Sequence, residues 1–198
     1  AGLVLESFLG KNKIKVIHNG IDLSVFKPTS GNFREKYGLI DKRIILGVAS
    51  VWEDRKGLND FIKLSGMLDD RYRIVLVGIS EKQRKLLPDK IISISRTNNT
   101  QELVEIYTAS DVFVNPTYED NYPTTNLEAQ ACGTPVVTYK TGGSPETVVQ
   151  NCGAVVGQGD IGKLRSAIDA QFDFVNDDIR KKFSSKEMVG SYIKLYRT

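Results

Sequence analysis

Val112-Phe113-Val114-Asn115-Pro116-Thr117-Tyr118-Glu119-Asp120-Asn121-Tyr122-Pro123-Thr124-Thr125-Asn126-Leu127-Glu128-Ala129, followed after Gly133-Thr134-Pro135 by Val136-Val137-Thr138-Tyr139, decides the fold. An apolar run closed by Asn-Pro, a polar loop, a helix opening near Pro123 and a second apolar run read as strand, loop, helix, strand. Asp120 and Glu128 bracket the helix opening, with seven residues between them. A helix start collects unpaired backbone N–H groups and the positive end of the helix dipole, which suits a phosphate. A carboxylate one turn in can accept hydrogen bonds from sugar hydroxyls, as the ribose-binding acid of dinucleotide folds does. A nucleotide-linked sugar lying across this loop is the first expectation.

The same rhythm runs outward in both directions. Arg43–Val48, Tyr72–Val77 and Ile91–Ile94 read as strands before the quoted stretch, and Gly153–Val156 as one after it. Helices are expected over about Leu58–Leu68, Glu81–Leu87, Gln101–Ala109 and Ile161–Phe172, with two more near Asp177–Phe183 and Lys186–Tyr196. Thr100 stands where the cap of the third of these falls. Near the beginning, residues 1–13 read as the tail of an amphipathic helix. Lys13–Ile17 reads as a short strand, His18–Asp22 as a turn, and Phe33–Tyr37 as a short helix stopped by Gly38. Apolar strands alternating with helices specify an α/β fold, a Rossmann-like three-layer sandwich with a parallel sheet of about six strands. Ligands of such sheets lie beyond the carboxyl ends of the strands, so the strand-to-helix loops carry the information.

Composition sets bounds. The 198 residues are 40% hydrophobic and 26% charged, with a formal net charge of +3. The mild positive balance, spread along the chain, fits an anionic small ligand or a membrane surface and argues against nucleic acid. No apolar run reaches the roughly 18 residues of a membrane span. Cys132 and Cys152 have no metal-ligand spacing around them and read as reduced, buried thiols of a cytoplasmic protein. No cluster of His, Asp and Glu suggests a metal.

Among the loops, Arg55-Lys56-Gly57 can meet a diphosphate with charge and backbone N–H together, or be a solvated turn. Ser95-Arg96-Thr97-Asn98-Asn99 can hold a base, or simply connect. Glu128 can bind a ligand, or cap its own helix, because Thr125-x-x-Glu128 matches a capping box. Asp120 can bind a ligand, or close an Asx-turn onto Tyr122. Trp52 and Tyr118 can stack on a ligand, or pack against the sheet beside their loops. His18, the only histidine, has no partner identifiable from sequence and reads as a turn or packing residue, which leaves triad chemistry without support.

Taken together, Val16-Ile17-His18-Asn19-Gly20-Ile21-Asp22, Lys56-Gly57, Leu76-Val77-Gly78, Tyr107-x-x-Ser110-Asp111-Val112-Phe113-Val114-Asn115-Pro116, the run from Pro123 to Val137 and Gly142-Gly143-x-x-Glu146 occur in a specific order. In that order they resemble the C-terminal, nucleotide-sugar-binding domain of family 4 glycosyltransferases (glycosyl transferases group 1), one half of the GT-B fold. The resemblance implies a UDP- or GDP-sugar donor, a glycan or lipid-linked acceptor, and no metal or other cofactor. It also implies a retaining transfer in the cytoplasm, with possible association at the inner face of a membrane. It assigns Asp120 to the donor hexose, Glu128 to the ribose, and Lys56 to the pyrophosphate. Backbone amides of Pro123, Thr124 and Thr125 complete the phosphate cradle, and Arg96 and Thr97 lie near the base. Asp120 and Lys56 are thereby the catalytic candidates. Two departures stand out: the first acid is usually Glu, and an Arg often stands where this chain has Ser50, which leaves the phosphate charge incompletely neutralised unless Arg55 substitutes. The implied organisation is 1–30 as the end of an N-terminal, acceptor-binding domain and its linker, 31–184 as the donor domain, and 185–198 as a C-terminal helix. On this organisation, these residues alone bind nucleotide and transfer nothing. A GT-B sugar-nucleotide epimerase and a non-catalytic nucleotide-binding module remain open alternatives.

Overall fold

A computed structural model describes residues 6–11, 13–172, 179 and 182–197. Six strands form one all-parallel sheet: β1 (Arg43–Val48), β2 (Tyr72–Val77), β3 (Ile91–Ile94), β4 (Val112–Asn115), β5 (Val136–Tyr139) and β6 (Gly153–Val156), in the order β3-β2-β1-β4-β5-β6. The helices are α1 (Phe33–Lys36), α2 (Leu58–Gly66), α3 (Glu81–Arg84), α4 (Thr100–Ala109), α5 (Thr124–Ala131), α6 (Ile161–Ile168) and α7 (Ser185–Tyr196). This is the expected doubly wound sandwich.

Alternation along buried strands builds its two cores. In β1, Ile45 faces a layer with Phe61 and Leu64 of α2 and Leu164 of α6. Its neighbours Ile44 and Leu46 face the opposite layer, with Val104 and Tyr107 of α4 and Ala129 of α5. Each of the isoleucine, leucine, valine and phenylalanine side chains among these, fully removed from water, contributes about 1.5–3 kcal/mol of burial free energy. The strand order reverses between β1 and β4, which leaves a crevice at their carboxyl ends. A third, smaller cluster joins Ile21 to Leu127, Val149, Cys152 and Phe183.

Several expected boundaries move. Lys13–Ile17 forms no strand; the sheet ends at β3 and β6, and Val16 stays 51% exposed. Phe8–Lys11 is a single 3₁₀ turn. Helix α3 stops at Arg84 because Pro88 disfavours helical backbone before it, and Leu86 and Leu87 make only three-residue turns. Helix α6 ends at Ile168, where Asp169 turns to the Tyr72 hydroxyl at 2.6 Å. The cap of α4 is Asn99, whose Oδ1 accepts from the Glu102 amide at 2.9 Å. The helix expected at 177–183 falls mostly outside the described residues. Among the described residues, no helix is long and apolar enough to cross a membrane.

Candidate functional site

The crevice at the switch point is a cleft of about 220 Å³ lined by Ser50, Trp52, Lys56, Asp120 and the Pro123-Thr124-Thr125 opening of α5. Through Val48, Ala49, Ser50 and Thr125 it joins a cavity of about 520 Å³ that reaches Arg96, Thr97 and Glu128. Eight of the nine candidate residues thus share one groove. The ninth, Arg55, does not line it. Its guanidinium is held outside by Glu53 at 2.7 Å and by the Glu119 carbonyl at 3.3 Å. Arg55 lines instead an adjoining cavity of about 230 Å³ that shares Asp120 and Tyr122 with the cleft.

Lys56 reaches the groove because Gly57 adopts a left-handed conformation (φ 76°) and lies against Pro116, whose carbonyl oxygen would sit 2.2 Å from any Cβ at that position. The Lys56 Nζ donates to Asp120 Oδ2 at 2.7 Å. The other Asp120 oxygen accepts from the Tyr122 amide at 3.2 Å. The Asx-turn thus forms without occupying the oxygen that faces Lys56. Gly142 and Gly143 pass beneath: a Cβ on either would lie about 2 Å from the carbonyl oxygen of Asp120 or Asn121.

Helix α5 opens on Pro123 with no side-chain cap. Pro123, Thr124 and Thr125 line the cleft, and the first amides of a helix have no acceptor within it. Thr125 is the second helical residue rather than the cap, so the capping box with Glu128 does not form. The Glu128 Oε2 instead accepts from the Tyr107 hydroxyl at 3.0 Å. Burial raises the Glu128 carboxyl above its ordinary range, partly opposed by that hydrogen bond. Burial also keeps the Tyr107 phenol protonated, well above its ordinary value, and hence a donor.

Beneath α5 lies a buried amide network. Asn115 Nδ2 donates to Asn126 Oδ1 (2.9 Å), and Asn126 Nδ2 donates to Thr147 Oγ1 (2.8 Å). Gln130 Nε2 donates to the carbonyls of Asn126 and Thr147. Such a satisfied network fixes the helix start rigidly against β4. Asp111 serves the fold rather than the groove, accepting from Arg34 at 2.7 Å and from the Ile44 amide at 2.6 Å. Trp52 packs edge-on to Phe61 and donates to the Val77 carbonyl.

Three contributors carry no short-range signature in the sequence. Tyr107 orients Glu128, Asp60 receives the Tyr118 hydroxyl, and His18 has a carboxylate partner after all. His18 stacks flat on Tyr122 (4.6 Å, 5°) and its Nε2 lies 3.0 Å from Glu146 Oε2. Only the motif positions of Tyr107 and Glu146 gave any hint of these roles.

A doubly wound parallel sheet with helices on both faces, and a lysine and a carboxylate beside an uncapped helix start at its switch point, defines a Rossmann-like α/β domain. The chain belongs to the family "Glycosyl transferases group 1", whose model matches residues 29–185. It is 29% identical over 178 residues to the D-inositol 3-phosphate glycosyltransferase of Mycolicibacterium smegmatis, covering 82% of this chain and 41% of that protein. The chain thus spans about two fifths of the length of the curated relatives it matches. Sucrose-phosphate synthase from Thermosynechococcus elongatus superposes with a TM-score of 0.84 at 22% identity, over 99% of this chain and 55% of that one. HepE of Anabaena, solved in complex with UDP and glucose, superposes with a TM-score of 0.77 at 17% identity, over 93% and 56%. The C-terminal domain of a group 1 glycosyl transferase from Francisella tularensis gives 0.61 at 20% identity, over 87% of this chain and 97% of that domain.

Proposed function

We propose that this chain is the nucleotide-sugar-binding half of a two-domain, retaining glycosyltransferase that moves a hexose from a UDP- or GDP-sugar to a glycan or lipid-linked acceptor. The observation that carries this reading is the Lys56–Asp120 pair set across an uncapped helix start, with Glu128 in the joined cavity. The UDP bound in HepE supports it. On this reading the diphosphate enters between Lys56 and the first amides of α5 and displaces Asp120 as the lysine's partner. The freed Asp120 carboxylate then accepts from a hexose hydroxyl, and Glu128 accepts from the ribose while Tyr107 holds its other side. Arg96 and Thr97 flank the base.

In the reaction, the bond from the anomeric carbon to the diphosphate oxygen breaks with its electron pair leaving on the diphosphate, while an acceptor hydroxyl oxygen bonds to that carbon and gives its proton to the departing diphosphate. Lys56 and the α5 dipole stabilise that developing charge, as preorganised donors do in a transition state. The acceptor contacts come from the partner half of the architecture, so these residues alone bind nucleotide without transferring sugar.

Calorimetric titration of the chain with UDP, GDP and ADP tests the reading. Saturable binding of UDP or GDP supports it. Failure of all three to bind sinks it, and so does sugar transfer by this chain unaided.

A further inference from the structure

Asp60 stands in the first turn of α2, four residues beyond Lys56, and is 2% exposed. It lines neither cavity of the site. Its Oδ2 accepts hydrogen bonds from two tyrosine hydroxyls, Tyr118 at 2.7 Å and Tyr139 at 2.8 Å, while Oδ1 faces Lys63 Nζ at 3.4 Å. A carboxylate so far from water persists only when its oxygens are hydrogen-bonded, and hydroxyl donors on a charged acceptor are among the strong cases. Both phenols keep their protons. The hydrogen bond to Asp60, then burial, pushes Tyr118 up to about 12, and burial followed by the same carboxylate raises Tyr139 further.

Each tyrosine belongs to a segment that ends at Asp120. Tyr118 opens the acidic loop: its amide donates to the Arg55 carbonyl at 2.7 Å, one residue before Lys56. Its own carbonyl accepts from Thr141 Oγ1 (2.9 Å) and Gln158 Nε2 (2.8 Å). Tyr139 closes β5 just ahead of Gly142-Gly143, the pair beneath Asp120 and Asn121. The two rings meet edge to face at 5.6 Å. Helix α2 itself does not need this cluster to stay on the sheet, since Phe61 and Leu64 are wholly buried there. Tyr118, still 40% exposed, packs too little to hold the loop by burial. Its hydroxyl adds, to the three hydrogen bonds of its backbone, the side-chain bond that ties the ring to Asp60.

We infer that Asp60 is a positioning residue: by holding Tyr118 and Tyr139 on one oxygen, it sets the geometry of the Lys56–Asp120 pair across the cleft. The inference rests on the reading of that pair as the groups facing the diphosphate and hexose.

The test uses Tyr118→Phe, which deletes one hydroxyl from a half-exposed ring, and Asp60→Asn, which keeps the shape and removes the charge. Two measurements are made on the chain. The first is amide hydrogen exchange at Tyr122 and Gly143, which donate to Asp120, compared with Ile45 in the sheet. The second is calorimetric affinity for UDP. Exchange at Tyr122 and Gly143 is expected to accelerate about tenfold relative to Ile45 in Tyr118→Phe. UDP affinity is expected to fall about tenfold, and adding Asp60→Asn is expected to cost little more. Equal acceleration at all three amides, or none at Tyr122 and Gly143, overturns the inference and leaves Asp60 as a structural anchor. If Asp60→Asn does not fold, Tyr118→Phe decides alone. If the parent chain binds none of UDP, GDP and ADP, the proposed function falls while the exchange comparison still decides this point.

Discussion

Lys56 Nζ stands 2.7 Å from Asp120 Oδ2 across 64 residues of chain, with the two side chains 23% and 17% exposed. An ion pair this sheltered is screened less than a surface pair, yet it opens directly onto the cleft. On the proposed function, a dianionic ligand would compete for the lysine and repel the carboxylate, and the pair would be a resting arrangement that ligand entry exchanges for another.

Lys56→Ala is expected to weaken UDP binding by about 10- to 100-fold, the usual worth of a hydrogen bond to a charged group. Isothermal titration measures it. An unchanged affinity would remove Lys56 from the diphosphate site.

Glu128→Gln has a pH signature. Burial holds the Glu128 carboxyl above its ordinary value of 4.5. The folded state then binds more protons than the unfolded chain as pH climbs from 4.5 through the raised value, so stability falls across that window and stays lowered above it. The glutamine variant escapes this cost. Its melting temperature should exceed that of the parent at about pH 7, with the difference shrinking as pH approaches about 4, while UDP binds more weakly. Thermal melts at both pH values, with titration at the higher one, check the two halves separately.

Gly143→Ala places a Cβ 1.9 Å from the Asn121 carbonyl oxygen without any positive φ to complicate the reading. A loss of about 1–3 kcal/mol is expected from overpacking, together with displaced 119–122 resonances. Gly190→Ala in α7 meets nothing within 4 Å and should gain about 0.5–1 kcal/mol. Urea denaturation of both variants gives the contrast.

Asn126→Ala breaks the buried amide network under the start of α5, leaving a donor on Asn115 without its acceptor. A cost of about 1–3 kcal/mol is expected. The accompanying loss of UDP affinity should exceed that of an equally destabilising substitution far from the helix start.

Trp52 is the only tryptophan, 5% exposed, and lines the cleft with Lys56 and Asp120. Its emission should shift on titration with UDP and not with inorganic sulfate. A silent spectrum in the presence of calorimetrically detected binding would place the nucleotide elsewhere.

The six strands and their parallel pairing were legible from residue type alone, because a strand buried on both faces must be apolar almost throughout. The loop that carries Asp120, the helix opening near Pro123 and the Lys56-Gly57 turn were legible too, since each is a short-range pattern of backbone preference and charge, whereas the capping box that Thr125 and Glu128 suggested does not form. The neighbours of those side chains were not. Arg55 follows Lys56 directly and carries the same charge, yet Glu53, two residues earlier, holds it outside the groove. Asp60 reads as an ordinary polar residue near a helix start until β4 and β5 bring two tyrosine hydroxyls to it. His18 and Glu146 lie 128 residues apart, and nothing local announces their contact. Backbone preference and burial are properties of a residue and its immediate neighbours, so the sequence by itself determined the sheet, its order of elements and where a ligand groove must open. Which oxygen meets which proton depends on segments that only the folded sheet brings together, and that the tertiary structure alone decided.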